Sequence, residues 1–156
     1  MDTAREIETG PQIDRKRIAD LLAKATTSEL ESALAALGPI PDFTALRGPE
    51  TGLVMVKGRI GGGGAPFNLG EATVSRASIR LADGRVGHGY RLGTDRKAAQ
   101  LSAVLDALAQ DAAARNMLET DLFAPLEARL TQEAQRLAAE TAATKVDFFT
   151  MVRGED

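Results

Sequence analysis

A chain of 156 residues, 44% hydrophobic and 26% charged, has the size and balance of one domain with a workable core. Its formal charge of −3 argues against non-specific nucleic-acid binding, which needs a basic surplus. With no cysteine and a single histidine, the chain has no means to build a disulfide framework, a thiolate nucleophile, an iron–sulfur or zinc-ribbon site, or a His-rich metal centre of its own.

Met1–Gly10 is polar and acidic and is expected to be a disordered start. No basic region followed by an apolar stretch opens the chain, and its apolar runs fall far short of the roughly 20 residues that span a bilayer, so a soluble, cytoplasmic protein without a membrane partner is expected. Residues 11–156 read as a single domain. Ile18, Leu21, Leu22 and Ala25 fall at helical spacing, predicting a first helix. Ser28 and Glu31 have the form of a capping box before a second helix carrying Leu30, Leu34 and Leu37. Gly38, Pro39 and Pro41 then stop it.

Phe43 to Arg47 reads as a first strand, Gly48-Pro49 as a turn, and Leu53 to Ile60 as a second strand. A long third strand runs to Leu81 and a fourth from Val86 to Leu92, closed by Asp83-Gly84. A two-residue type I′ loop there pairs Ala82 with Arg85, Leu81 with Val86, Ile79 with His88, Ala77 with Tyr90 and Ser75 with Leu92 on a largely apolar face. The other face then sets Arg80 opposite Gly87, Ser78 opposite Gly89 and Arg76 opposite Arg91. Two facing arginines cost about 0.2–1 kcal/mol unless something negative lies between them. Arg59, Arg76, Arg80 and Arg91 are therefore candidate partner- or anion-binding residues, with a solvated basic face as the plain alternative.

Thr94 or Asp95 caps a third helix with the stripe Ala98, Leu101, Val104, Leu105, Leu108 and Ala112. A fourth starts near Pro125 and runs through Leu126, Leu130, Ala134, Leu137 and Thr141. Its narrow, alanine-rich stripe calls for a close neighbour. In the tail, residues 145–156, Val146, Phe148, Thr150 and Val152 share one side of a strand, with Phe149 and Met151 on the other. Such an end must be buried or docked, which makes Val146, Phe148, Phe149, Met151, Val152 and Arg153 candidate docking residues. The fold expected is α+β: two N-terminal helices, a mainly antiparallel sheet of about four strands, and two C-terminal helices covering one face.

No catalytic constellation emerges. Gly61 to Gly64 lacks the Lys-Ser or Lys-Thr of a phosphate loop and precedes a strand, so it reads as a hairpin connection. His88, placed between Val86 and Tyr90 on the apolar face, reads as a packed histidine. No catalytic, cofactor-binding or metal-binding residue is therefore expected on this chain.

The run Glu50-Thr51-Gly52-Leu53-Val54, with Arg59-Ile60-Gly61-Gly62, Gly70-Glu71-Ala72-Thr73, Arg76-Ala77, Arg80-Leu81, Asp83-Gly84 and Gly93-Thr94-Asp95-Arg96-Lys97, resembles the PhnG family. These are the G subunits of the bacterial carbon–phosphorus lyase core complex. The tail Val146-Asp147-Phe148-Phe149-Thr150-Met151-Val152-Arg153-Gly154 resembles the family's ending. The resemblance implies a subunit that acts with the PhnH, PhnI and PhnL proteins in transferring ribose 5-triphosphate from ATP to methylphosphonate, releasing adenine. It implies assembly with PhnH, PhnI and PhnJ. ATP is then a substrate of the assembled complex, and no cofactor belongs to this chain. Two roles stay open: an assembly subunit, or one that lends arginines to triphosphate or phosphonate at a shared site.

Overall fold

The computed structural model describes residues 11–60 and 63–145. The first helix, α1 (Pro11–Leu22), buries Ile18, Leu21 and Leu22 as their spacing predicts; it ends before Ala25, which the spacing placed in the helix and which is buried just beyond its end. Helix α2 (Thr27–Leu37) starts two residues earlier than expected. Its capping box is Thr26 with Glu29, the threonine hydroxyl accepting the Glu29 N–H at 3.2 Å and the Glu29 carboxylate accepting the Thr26 N–H at 2.7 Å. Burial pushes the Glu29 carboxyl up, but these bonds and that from Arg129 hold it below its ordinary value.

Three strands, not four, form the sheet among the described residues: β1 (Phe43–Gly58), β2 (Phe67–Leu81) and β3 (Val86–Leu92), an antiparallel meander in chain order. The two strands expected either side of Gly48-Pro49 are one. The pairing passes from Arg47 opposite Ser78 to Glu50 opposite Arg76, so the Gly-Pro pair is absorbed as a bulge. β1 is an edge strand, where a residue without an N–H breaks no second ladder.

The β2–β3 register also differs from the expectation, by one residue. Leu81 N–H donates to the Arg85 carbonyl and Gly84 N–H to the Leu81 carbonyl, both at 2.9 Å, with Gly84 at φ 95°. This is a three-residue loop of Ala82, Asp83 and Gly84, the form in which the glycine takes the left-handed position. Arg80 therefore faces Val86, Ile79 faces Gly87, Ser78 faces His88, Ala77 faces Gly89, Arg76 faces Tyr90 and Ser75 faces Arg91. The one-residue shift turns every β3 side chain to the other side of the sheet from the expected one.

The shift puts Gly87 and Gly89 on the covered face, and helix α3 (Arg96–Leu108) lies directly on them. A Cβ on Gly87 would overlap the Ala103 carbonyl, and one on Gly89 the Ala99 carbonyl. Asp95 caps α3 by accepting the Ala98 N–H at 2.9 Å. Against the sheet's Ala77, Ile79 and Leu81, α3 buries Ala98, Ala99, Ala103 and Ala107. The same core includes Val104, Leu105 and residues of α1 and α2. Ser102, fully buried, donates to the Leu22 carbonyl at the end of α1.

Only α3 of the two expected C-terminal helices occupies the sheet. Beyond it come a short α4 (Ala112–Leu118), a π-helical turn (Glu119–Phe123) and α5 (Ala124–Ala143). Asp111 caps α4 and breaks the helical stripe before Ala112. Leu118, Leu122, Phe123 and Leu126 complete the core, and Leu130 packs at its rim. From residue 131 to 145 every side chain is exposed.

Candidate functional surfaces

The sheet face away from α3 presents nine side chains in three rows across its strands. Thr44, Arg80 and Val86 form one row, Arg47, Ser78 and His88 the next, and Glu50, Arg76 and Tyr90 the third. Glu50 serves two arginines, at 2.7 Å from Arg76 Nε and 2.9 Å from Arg47 Nε. Its carboxyl lies below its ordinary value through the hydrogen bond from Arg76 and the charge of Arg47. His88 is exposed, its Nδ1 2.9 Å from Ser78 Oγ, and not the packed histidine of the expected register. The backbone N–H of His88 donates at 2.8 Å to Asp106, a buried carboxylate of α3 that also takes Arg15 at 3.1 Å.

The four candidate arginines do not come together. Arg76 and Arg80 share the outer face. Arg91 lies on the other face opposite Ser75, donates from Nη1 to the Leu22 carbonyl at 3.2 Å, and encloses an Nε that has no hydrogen-bond partner among the described residues. Arg59 follows the end of β1 and is exposed, on the order of 40 Å along the hairpin from the row of Arg80. No facing pair of arginines exists among them.

A larger unfinished surface was not singled out by the sequence reading. β3 pairs with β2 only from Val74 to Arg80, ending where Gly93 N–H donates to the Thr73 carbonyl at 2.9 Å. β1 and β2 run on from Leu53 to Gly58 and from Phe67 to Thr73 as a two-stranded arm. Its apolar side chains point both ways: Leu53 (63% exposed) and Met55 (53%) on one face, Val54 and Val56 on the other, with exposed Leu69 at a bulge. The signal in the sequence is Leu53-Val54-Met55-Val56, apolar at both parities where a one-faced strand would alternate. Residues 63–66 and Arg59-Ile60 lie in the connection between the strands, in keeping with a hairpin loop, while Gly61 and Gly62 fall outside the described residues.

The distal half of α5 is the second such surface. Ala134, Leu137, Ala138, Thr141 and Ala142 line an open apolar groove, and the neighbour that this stripe calls for is not supplied by the described residues. The docking candidates Val146, Phe148, Phe149, Met151, Val152 and Arg153 lie outside the described residues, as does the expected disordered start. Among the described residues no group of three or more His, Asp or Glu side chains could hold a metal ion, and no helix is long and apolar enough to cross a membrane.

Comparison with known proteins gives these surfaces a context. The chain is 56% identical over 156 residues, all of this chain and 99% of the relative, to the alpha-D-ribose 1-methylphosphonate 5-triphosphate synthase subunit PhnG of Rhizobium meliloti (strain 1021). The family described as phosphonate metabolism protein PhnG matches residues 13–154. A match of that extent makes this chain a member of the PhnG family of phosphonate metabolism proteins.

Proposed function

We propose that the chain is an assembly subunit of an alpha-D-ribose 1-methylphosphonate 5-triphosphate synthase, the enzyme of which its relative is named a subunit. It contributes no catalytic group, cofactor or metal of its own, and ATP is a substrate of the assembled complex. Its partners are the PhnH, PhnI and PhnJ subunits of a core complex, with PhnL acting alongside, in the cytoplasm. Residues 11–156 act as one domain whose tail, 145–156, joins the docking surface.

The observation that carries this reading is the arm. Leu53, Met55 and Leu69 are each more than half exposed on a hairpin that extends past the end of β3. Fully burying such a side chain contributes about 1.5–3 kcal/mol, so a partner closing on the arm gains from several at once. The alternative, in which Arg59, Arg76, Arg80 or Arg91 binds triphosphate or phosphonate at a shared site, narrows to Arg76 and Arg80 as the two that could act from one face, because Arg91 and Arg59 lie away from them. A test is co-expression with the companion subunits. Leu53→Asp with Met55→Asp, and separately deletion of residues 146–156, are expected to abolish co-purification while leaving the circular dichroism spectrum unchanged. Co-purification and turnover at wild-type levels in both variants would reject the assembly role.

A further inference from the structure

We propose that the outer sheet face centred on Arg80, Ser78 and His88 seats an acidic segment of a partner protein chain. This rests on the assembly reading above and adds the chemistry of the surface that the partner must offer.

Charge is the first argument. Arg47, Arg76 and Arg80 stand against Glu50 alone among the nine positions, in a chain whose formal charge is −3. Glu50 already engages Arg47 and Arg76. Arg80 has no acidic partner among the described residues; it lies between Thr44 and Val86, and the next row holds Ser78 and His88, joined through Nδ1, beside Arg47. A carboxylate arriving there meets a guanidinium, a hydroxyl and an imidazole on adjacent strands, which suits the forked geometry of arginine recognition.

Shape and surroundings select a protein over a small anion. Side chains set side by side on three strands make a platform, whereas small-molecule sites are concave. Tyr90, the only tyrosine, is 48% exposed beside Arg76, and exposed tyrosine with arginine is the composition of interface centres. Past the row of Gly52, buried Val74 and exposed Leu92, the same side of the sheet carries Val54, Ala72 and Val56 of the arm. The occupant is therefore a segment with carboxylates over Arg80 and apolar residues over the arm.

The test measures binding of the full chain to the companion subunits purified together without it, in low and in physiological salt. Arg80→Glu combined with His88→Glu is expected to raise Kd about 10-fold or more in low salt and to flatten the salt dependence, with Arg80→Lys, which keeps the charge and loses the fork, falling between it and wild type. Both side chains are exposed, and an unchanged melting temperature identifies the loss as one of binding. If the double variant keeps wild-type Kd and salt dependence while Leu53→Asp weakens binding, this proposal falls and the assembly reading stands. If the wild-type chain forms no complex, both fall. If tripolyphosphate at matched ionic strength displaces the wild-type chain but not the double variant, the face belongs to phosphoryl oxygens and the proposal is overturned.

Discussion

Gly89 lies beneath the Ala99 carbonyl so closely that the two backbones leave no room for a Cβ. Gly87 meets Ala103 and Ala107 in the same way, so α3 rests on the backbone of β3. Gly89→Ala must lift the helix or bend the strand. Overpacking of this kind costs about 1–3 kcal/mol, and backbone atoms that cannot rotate aside put this site at the upper end. For a chain of this length each kcal/mol shifts the melting temperature by about 2–4 °C, so a fall of about 10 °C is expected. A melting curve within 1 °C of wild type would show that the helix is not seated there.

Asp106 holds β3 to α3 and α1 at once, through the His88 N–H and Arg15. Asp106→Ala leaves the His88 N–H of the edge strand β3 without its buried acceptor and should cost about 1–3 kcal/mol in urea denaturation. Asp106→Asn keeps one acceptor oxygen and should recover part of that loss. Equal losses for the two variants would mean that the hydrogen bond to His88 contributes nothing.

Acid stability should depend on Arg17. Its guanidinium donates to Glu119 at 2.8 and 2.8 Å and to Glu127 at 2.7 and 2.8 Å, tying α1 to the π turn and α5. These bonds hold both carboxyls below their ordinary value of 4.5. A carboxylate whose folded value is depressed stabilises the fold above its unfolded value, and that contribution is lost as pH falls through the folded one. Because all three groups are partly exposed, solvent screening limits the effect to about 1 kcal/mol at neutral pH. Arg17→Ala should therefore lower stability at pH 7 and match wild type well below pH 4.5. A gap of the same size at both ends of a pH titration would contradict this.

The arm should be dispensable for folding. Leu53→Asp changes a side chain that is 63% exposed and outside the core, so chemical denaturation should shift by less than about 0.5 kcal/mol. A loss above 1 kcal/mol would mean that the arm packs on its own domain.

The buried positions of α1 and α2, a cap at Thr94 or Asp95 and the α+β class were legible in the sequence, because they rest on local periodicity and on side chains that bond within three residues of themselves. The candidate site was legible only in part: a basic sheet face was read correctly for Arg76 and Arg80 and incorrectly for Arg91 and His88. Asp83-Gly84 fits a two-residue loop and a three-residue loop equally well, and the choice turns β3 over. Tertiary packing decides it. One register offers α3 two glycines, on which a helix can lie backbone to backbone; the other would have pressed His88 and Tyr90 beneath it. The length of the arm was likewise hidden, since strand pattern tells where apolar residues alternate but not where a neighbouring strand stops. Local chemistry along the chain thus determined which elements form and how they end. Which side chains face the core and which are left exposed was decided by the fit of α3 against the sheet, a contact between residues distant in sequence.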